Sequence, residues 1–450
     1  MSKPLKLGGS SMRGTIDNQI DTALGRSFAP DVALRTASPA SLPAWFAVSD
    51  LAVASVGAAA RELAGMLGLR DVGIDVRRTL IWFGMTLRPD GWAVPDAWDP
   101  IAGDYEAQDG WVKLHTNAPH HRDAALSVLG CAAERDAVGE AVRGWRKSDL
   151  EDAVVAAGGA AAAMHSLSEW AEHPQGIAVS KEPVIAWRTK SSGVAPKDLD
   201  GLRVLDLTRV LAGPVATRFL AGFGASVLRI DPPGWSEPGL EPEVTLGKKL
   251  AGLDLRRSDD RTTFEGLLGQ ADVLVHGYRP GALAGLGYDG DRLRALAPDM
   301  IEVALDAYGW SGPWAGRRGF DSLVQMSSGI ADAGMARSGA ERPVPLPVQA
   351  LDHATGYLMA AAALRALRIL RDRGDVVSAR LSLARTAQLL VSAGPTDPLE
   401  DMAPIEDGDL VSEATGWGPA RRVRFPVVIG GRQPRWPHPA RPLRTDPAGW

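Results

Sequence analysis

One carboxylate stands where a folded chain could use it for chemistry. Asp352 comes directly before 357–373, an apolar segment with helical spacing. At the start of a helix an Asp is commonly an N-cap, worth about 1 kcal/mol. A carboxylate is also a nucleophile that can take an acyl group and so divide one difficult transfer into easier steps. Residue type alone favours the cap, and the two roles are compatible, because helix-terminal N–H groups would keep the carboxylate ionised.

The element with the clearest ligand-binding pattern is a strand–turn–helix–strand unit over 202–231. An apolar run, 202–207, is followed by Gly213-Pro214, and Pro is well tolerated in the first turn of a helix. The segment 215–223 has helical spacing, and 226–230 is a second apolar run. The pattern predicts a parallel βαβ unit, which binds ligands at the carboxyl ends of its strands.

The same unit, LDLTRVLAGP with its helix, resembles the opening of class III coenzyme A transferases. That family comprises the formyl-CoA, carnitine and bile-acid CoA transferases, with the related α-methylacyl-CoA racemases. Four further motifs follow in family order, each similar to its family counterpart: GKKLAGLDLRR at 247–257, ADVLVHGYRPGALAGLGYD at 271–289, GFDSLVQMSSGI at 319–330 and LDHATGYLMAAAALRAL at 351–367. Five motifs in one order form a specific signal, although each alone is weak.

The resemblance implies a covalent mechanism centred on Asp352. In the family, an Asp in a G-D-x-x-x-G segment is the nucleophile, and Leu351 to Gly356 matches that segment here. Such a carboxylate attacks an acyl-CoA thioester, gives a mixed anhydride, and then becomes an aspartyl-CoA thioester. The resemblance therefore implies acyl-CoA and carboxylic acids as substrates, with no tightly bound cofactor.

Coenzyme A carries phosphates, so its site should supply cations and backbone N–H groups. The resemblance assigns this role to eleven residues: Arg209, Leu211, Ala212, Leu253, Asp254, Leu255, Arg256, Gly277, Tyr278, Arg279 and Arg318. Two positions depart from the family, which commonly has Asn-Phe at Gly277-Tyr278 and sometimes a basic residue at Pro232. Any one of these arginines is more simply a solvated surface charge, and only the set argues for a site. The segment 328–340 is loosely similar to a glycine-rich loop of the family, and an ordinary surface loop is an equal interpretation.

The residues disfavour two other activities. Racemases of the family use a His in a G-H-D segment, where this chain has Gly319-Phe320-Asp321, and phenylalanine cannot exchange a proton. His353 could compensate, but adjacent residues such as Asp352 and His353 rarely point into one site. Asp231 ends a strand as a ribose-binding Asp would, but the preceding turn lacks G-x-G-x-x-G, which disfavours a nicotinamide dinucleotide. His120-His121 lacks partners at metal-ligand spacing, so no metal site is predicted.

Composition indicates an ordinary globular protein. Hydrophobic residues make up 45% of the 450 residues, enough for a core in two or three domains. The net charge of −5 and the scattered arginines give no reason to expect nucleic acid. The single cysteine, Cys131, excludes an internal disulfide, and we interpret it as a structural thiol. Without a long apolar run or a signal-peptide core, the chain is expected to be cytoplasmic and away from membranes.

We predict an α/β fold with a Rossmann-like parallel sheet that binds CoA and a smaller α+β domain. The boundaries are a mobile N-terminal arm over 1–40, the small domain over 41–187, a linker over 188–201, the Rossmann-like domain over 202–390 and an extended tail over 391–450. Within the small domain the pattern predicts a helix over 49–69 with Ser49 as N-cap, a strand over 109–116, and helices over 120–130, 133–144, 148–158 and 166–173.

The small domain is similar to the second half of class III transferases, from Asp109-Gly110-Trp111 to Pro174-Gln175. The family's later part thus precedes its earlier part, as in a circular permutation or a fusion of two incomplete copies. The resemblance implies a homodimer and a site between the two domains, so Asp352 should face 109–187 of the same or another subunit. The leading hypothesis is a CoA-transferase that moves CoA between carboxylic acids. The alternatives are a non-catalytic CoA- or acyl-CoA-binding relative and an acyl-CoA epimerase or dehydratase.

Overall fold

A computed structural model describes residues 12–25, 32–194 and 199–450. The strands are β1 (Ala33–Ala37), β2 (Asp71–Asp75), β3 (Leu87–Pro89), β4 (Gly103–Ala107), β5 (Gly110–Leu114), β6 (Ala161–Ala163), β7 (Ala186–Ser192), β8 (Arg203–Leu207), β9 (Ser226–Asp231), β10 (Lys248–Gly252), β11 (Val273–His276), β12 (Ile301–Asp306), β13 (Asp375–Ser382), β14 (Leu410–Thr415), β15 (Gly418–Val423) and β16 (Val427–Ile429). The helices are α1 (Met12–Ala23), α2 (Val48–Met66), α3 (Val76–Ile81), α4 (Pro119–Leu129), α5 (Arg135–Val142), α6 (Lys147–Ala156), α7 (Leu167–Glu172), α8 (Pro174–Ser180), α9 (Ala212–Gly222), α10 (Glu241–Val244), α11 (Ser258–Leu268), α12 (Ala282–Gly285), α13 (Gly290–Leu296), α14 (Asp321–Ser327), α15 (Ile330–Ser338), α16 (Ala350–Arg373) and α17 (Leu383–Ser392).

A seven-stranded sheet lies at the centre of the described residues, in the order β10-β9-β8-β11-β12-β13-β7. The first six strands are parallel, and β7 pairs antiparallel with β13 at the edge. Counted from β8, the parallel strands run 3-2-1-4-5-6, which is the order of a doubly wound Rossmann sheet. The predicted α/β fold with a Rossmann-like sheet is therefore confirmed.

The βαβ unit predicted over 202–231 is present as β8, α9 and β9. Val204 and Leu205 are fully buried in β8, as expected for a parallel strand that is covered by helices on both faces. Pro214 lies in the first turn of α9, where its missing N–H leaves no hydrogen bond unmade. Strand β8 lies in the middle of the sheet and ends at Leu207. The turn that follows it borders the cleft described below.

Helix α16 is the crossover between β12 and β13, so its first turn lies at the carboxyl edge of the sheet. Its alanines and Gly356 let the helix approach α9 closely. A Cβ added at Gly356 would lie 2.4 Å from the carbonyl oxygen of Ala212. This close packing fixes the start of α16, which carries Asp352, against the turn that follows β8.

The small sheet β4-β5-β6 packs with α4, α5 and α6 around its own core, which includes Tyr105, Val112 and Leu150. The predicted strand is β5, and the four predicted helices are α4 to α7 within a few residues of their expected bounds. The helix predicted over 49–69 is α2, but it packs against α16 rather than the small sheet. Ser49 is not its N-cap; Ala47 holds that position, and the Ser49 hydroxyl accepts the N–H of Leu42 at 3.0 Å.

The N-terminal segment is partly regular. Helix α1 buries Ile16 and Ile20 against the α2 side of the core, and β1 pairs with β2, so the prediction of a mobile arm is wrong over 12–23 and 33–37. The helix was not predicted because two apolar residues four positions apart are too weak a periodic pattern in an otherwise polar sequence. The parts of the predicted arm at 1–11 and 26–31 lie outside the described residues.

Two other boundary predictions need correction. Residues 188–192 of the predicted linker belong to β7, because an edge strand can be polar on its exposed side, while 195–198 lie outside the described residues. The tail is not simply extended, since β14, β15 and β16 pair with one another or with the N-terminal part. The strand predicted over 421–429 is divided between β15 and β16 around Pro426. Among the described residues, no helix combines the length and apolar character needed to cross a membrane.

Candidate active site

A branched cleft lies at the carboxyl edge of the central sheet, where the strand order reverses between β8 and β11. Open α/β sheets bind ligands at this point. The cleft has three connected cavities of about 660, 380 and 290 Å³, called here the first, second and third cavity. Val210 and Phe320 border all three. Walls from 96–121 and from the Rossmann-like sheet meet here within one chain.

Asp352 lies in the first turn of α16 and borders both the second and the third cavity. Its side chain is buried, with 8% of the residue exposed. Gln349 holds the N-cap position, so the interpretation of Asp352 as the cap is wrong. The third cavity is also bordered by His115 and Asn117, so Asp352 shares this cavity with residues of the segment 109–187 in the same chain.

A second carboxylate controls the surroundings of Asp352. Oδ2 of Asp321 accepts the backbone N–H of Asp352 at 2.9 Å, and Oδ1 accepts from the side-chain amide of Gln325. Asp321 therefore accepts a helix-terminal N–H group of the kind that was expected to stabilise the charge of Asp352. Burial, followed by the charge of Asp321, raises the pKa of Asp352 well above its ordinary value. Burial also raises the pKa of Asp321, to about 6. The expectation that helix N–H groups keep Asp352 ionised is thus wrong, because burial and the neighbouring charge of Asp321 both disfavour its carboxylate form.

The structure places every residue that the resemblance assigned to CoA on the walls of this cleft. Leu253, Asp254, Leu255 and Arg256 border the first cavity, while Ala212, Gly277, Arg279 and Arg318 border the second. Arg209 and Tyr278 border both, and Leu211 borders the third. Their common location results from the sheet topology, because the turns after β8, β10 and β11 meet at one edge.

The assigned arginines differ in how free their charges are. Arg256 forms a bidentate ion pair with Asp254, at 2.8 and 2.9 Å, so its charge is largely matched already. Arg209 lies over the rings of Trp235 and Tyr278, at 4.8 and 5.7 Å from their centroids. Arg318 donates to the carbonyl oxygen of Gly158, which ties the sheet domain to the small domain. Partial burial, followed by the nearby Arg279, lowers the pKa of Arg318, as expected where cations are clustered.

Sequence reasoning missed the contribution of His115, which follows strand β5. Its imidazole stacks on Phe320 with 3.7 Å between ring centroids and 2° between planes. Burial lowers the pKa of His115 to about 3, so the ring is neutral at physiological pH. His120 and His121, which begin α4, border the second cavity. In the sequence, only the position of these three histidines near the end of a predicted strand or after it could have indicated that they border the cleft. No cluster of three metal-ligating side chains occurs in the described ranges.

Asp352 and His353 both border the third cavity, contrary to the expectation that adjacent residues would point apart. His353 stacks on Phe83 at 5.0 Å, and burial lowers its pKa to about 3. Two consecutive residues can border one cavity here because the cavity lies over the N-terminal end of α16. His353 is a neutral wall of the third cavity.

The turn after β8 has a strained backbone held by a buried ion network. Val210 has φ of 64°, which is rare for a β-branched residue. Its N–H donates to Glu237 at 2.8 Å, and Glu237 also accepts from Arg229. Arg229 pairs in turn with Asp231, which is fully buried. Asp231 is therefore unable to bind a ribose, which removes the residue on which a nicotinamide-dinucleotide hypothesis would depend.

Two further segments complete the surroundings. Asp306 ends β12 at the second cavity, and burial raises its pKa to about 8. Its Oδ1 accepts the N–H of Gly309, while Oδ2 has no hydrogen-bond partner among the described residues.

The segment 328–340 is neither a glycine loop nor a surface loop: α15 occupies most of it. A Cβ at Gly334 would lie 2.2 Å from the carbonyl oxygen of Val344.

Fold and site together define an α/β protein with a Rossmann-like sheet, a cation-lined cleft and a buried carboxyl pair. In the comparison with known proteins, residues 199–409 match the model of CoA-transferase family III. The recognition made from motifs is confirmed, whereas the permuted order stays a prediction.

Relatives match the chain only in part. A probable fatty acyl-CoA transferase, Rv3272, of Mycobacterium tuberculosis is 35% identical over 194 residues, covering 40% of this chain and 48% of its own length. A succinyl-CoA–D-citramalate CoA-transferase of Chloroflexus aurantiacus is 33% identical over 153 residues, covering 31% and 38%. The chain thus spans less than half the length of these relatives. A crystal structure of Rv3272 is 30% identical, covers 44% of this chain and 58% of its own, and has a TM-score of 0.40.

Proposed function

We propose that this protein is a class III CoA-transferase, related to the formyl-CoA and carnitine type, with Asp352 as its nucleophile. One observation carries the proposal: Asp352 is a buried carboxyl located where two cavities of one cleft meet, at the ligand-binding edge of the sheet. An acyl-CoA thioester placed across that junction would present its carbonyl carbon to the carboxylate. The family match over 199–409 supports transfer of CoA as the reaction class.

The proposed reaction has four balanced substitutions. A carboxylate oxygen of Asp352 attacks the thioester carbonyl, the carbon–sulfur bond breaks, and CoA thiolate leaves a mixed anhydride. The thiolate attacks the aspartyl carbonyl, releases the donor acid as its carboxylate, and gives an aspartyl-CoA thioester. The acceptor carboxylate attacks this thioester and expels the thiolate, which then attacks the acceptor side of the new anhydride. Asp352 is regenerated, and no net proton is consumed.

CoA is proposed to lie along the first and second cavities. Arg209, Arg279 and Arg318 would face its phosphates, since arginine is suited to phosphate oxygens. Arg256 would contribute less in its present pairing with Asp254. No tightly bound cofactor is part of the proposal.

The carboxyl pair sets a condition on this mechanism. Asp352 attacks only as carboxylate, and burial together with Asp321 favours its protonated form. Asp352 shares the second cavity with Arg209, Arg279 and Arg318, whose positive charges would favour its ionisation.

Two alternatives from different classes are favoured by specific observations. A non-catalytic CoA- or acyl-CoA-binding relative is favoured by the Asp254–Arg256 pair and by the raised pKa of Asp352, which disfavours the nucleophilic carboxylate. An acyl-CoA epimerase or dehydratase would need a second base; Phe320 cannot act as one, but His115 and His353 are close by at the third cavity. Exchange of the α-proton in heavy water would favour this last activity.

The location and assembly belong to the same proposal. We expect a cytoplasmic homodimer acting on acyl-CoA and carboxylic acids, with no role for nucleic acid or membranes. The arrangement of 109–175 before 202–367 is proposed as a permutation or a fusion of half-copies. Either origin is compatible with a cleft whose walls come from both parts of one chain.

Intact-protein mass spectrometry tests the proposal. The protein is incubated with a panel of acyl-CoAs, with and without hydroxylamine, alongside Asp352→Ala and Asp332→Ala. Asp332 is a matched carboxylate on α15 that borders none of the three cavities. We expect a CoA-sized adduct, or a hydroxamate, at residue 352 in wild type and Asp332→Ala only. Measurable CoA binding without any adduct would favour the binding protein instead.

A further inference from the structure

The third cavity has a different character from the other two. It begins at Asp352 and extends between Phe83, Trp98, Leu240 and Val348. Phe83 and Trp98 come from outside the residues 199–409 that match the family model. We propose that this cavity is the acyl subsite, and that it accepts the hydrocarbon chain of a monocarboxylic acyl group and excludes an acyl group that ends in a second carboxylate. The inference rests on the proposed function, because it assigns the thioester carbonyl to Asp352.

Among the described residues, the charged and titratable side chains that border the cavity offer no free cation. They are His115, Arg218, Glu243, Asp321, Asp352 and His353. Arg218 donates to the backbone carbonyl and the carboxylate of Glu243, at 2.7 and 3.4 Å, and stacks on Trp82 at 4.6 Å. Glu243 also pairs with Arg422 and accepts from Thr86. This buried network is complete in itself, so Arg218 would have to leave Glu243 in order to bind a substrate.

The two histidines supply no positive charge either. Burial lowers the pKa of both His115 and His353 to about 3, so both are neutral at physiological pH. The remaining groups, Asp321 and Asp352, are acidic. A terminal carboxylate in this cavity would give up part of its water without gaining a cation, and it would face two carboxyls, one of which ionises during the reaction.

The cations of the cleft lie on its other branches. Arg209 and Arg256 border the first cavity, and Arg209, Arg279, Arg317 and Arg318 border the second. Asp352 lies between this cationic part and the third cavity. The polarity of the cleft therefore orients a thioester in one way, with the phosphates of CoA toward the arginines and the acyl chain toward Phe83 and Trp98.

The size of the cavity limits the acyl group. At about 30 Å³ for each water-sized volume, 290 Å³ corresponds to roughly ten such volumes. A chain of six carbons or a single aromatic ring fits within this space. Met85 and Trp98, which are 41% and 43% exposed, border the cavity from its solvent side.

Hexanoyl-CoA and adipoyl-CoA provide a matched pair, since they differ only by a terminal methyl against a terminal carboxylate. Their affinities are measured by calorimetry on Asp352→Asn, which cannot turn over, and their kcat/KM values on wild type with a common acceptor acid. We expect hexanoyl-CoA to be favoured by about 100-fold in both measurements, as befits an unpaired buried charge. Equal affinities, or a preference for adipoyl-CoA, would overturn the assignment.

A variant tests whether the cavity itself is the cause. Val348→Arg places a cation on its wall, and Val348→Met is the neutral control of comparable length. We expect the arginine variant to lower the preference for hexanoyl-CoA at least tenfold, and the methionine variant to keep it. An unchanged ratio in a folded Val348→Arg would place the acyl chain elsewhere. If wild type gives no transfer with either substrate but binds hexanoyl-CoA preferentially, the proposed function fails while the subsite stands.

Discussion

The backbone N–H of Asp352 donates a hydrogen bond to Oδ2 of Asp321 at 2.9 Å, and this bond joins the two carboxyl groups of the cleft. Asp321 thereby acts from another helix as the acceptor that the first turn of α16 needs. The same contact brings a second negative charge next to the proposed nucleophile. Asp321 thus helps to hold the start of α16 in place and, after burial, is the second cause that raises the pKa of Asp352.

Asp321→Asn is expected to move the acid limb of the pH–rate profile to lower pH. Removing the charge of Asp321 takes away one of the two causes that raise the pKa of Asp352, so the nucleophile ionises at lower pH. The asparagine oxygen can still accept the N–H of Asp352, which keeps the helix end in place. The profile of kcat/KM between pH 5 and 9 is the measurement, with Asp332→Asn as control. If the acid limb does not move in Asp321→Asn, the charge of Asp321 does not influence the ionisation of Asp352, and the prediction is wrong.

Arginines of the second cavity are expected to determine the affinity for CoA. Arg209→Ala and Arg279→Ala should each weaken CoA binding by about 10- to 100-fold, the value of a charge-assisted hydrogen bond. Arg256→Ala should have a smaller effect, because Asp254 already pairs with that guanidinium. Arg337, an exposed residue at the end of α15, is a suitable control. Calorimetry with CoA and with dephospho-CoA would show which arginine faces the 3′-phosphate. If Arg256→Ala lowers the affinity for CoA no more than Arg337→Ala does, Arg256 has no role in binding.

Asp306→Asn is expected to stabilise the protein, and increasingly so as pH rises. Burial raises the native pKa of Asp306 to about 8, whereas the unfolded chain releases this proton near pH 4. The native state therefore binds more protons than the unfolded state between these values, and stability falls as pH rises through that window. The full cost is on the order of 5 kcal/mol for an ideal single site. Denaturant unfolding at pH 5 and pH 8 measures it, and a difference between variant and wild type that does not grow with pH would contradict the assignment.

Two glycines in helices are expected to respond oppositely to alanine. Gly356→Ala places a Cβ 2.4 Å from the backbone oxygen of Ala212, so α9 and α16 must separate, at a cost of about 1–3 kcal/mol. Gly266→Ala in α11 meets no atom within 4 Å and should stabilise by roughly 0.5–1 kcal/mol. Thermal unfolding of both variants is the comparison. Loss of CoA binding in a folded Gly356→Ala would further show that this contact positions the cleft; equal melting temperatures would contradict the close packing.

Local sequence patterns were sufficient to predict the elements that depend on neighbouring residues. The apolar runs at 202–207 and 226–230 with Gly213-Pro214 between them sufficed for the βαβ unit, because strand, turn and helix each depend on neighbouring residues. The order of five motifs gave the family and marked Asp352 and the eleven candidate CoA residues. Their common location follows from the rule that parallel strands carry ligands at their carboxyl ends.

Contacts between residues far apart in the chain depend on tertiary packing and could not be predicted from local patterns. Asp321 and Asp352 are 31 positions apart, and His115 is more than 200 positions from Phe320, so no periodic pattern relates them. The ionisation of Asp352, the neutrality of His115 and the pairing of Asp231 with Arg229 depend on burial and on neighbours brought together by packing. For the same reason, α1 and β7 were missed: their polar sequences become regular because other elements cover one side of them.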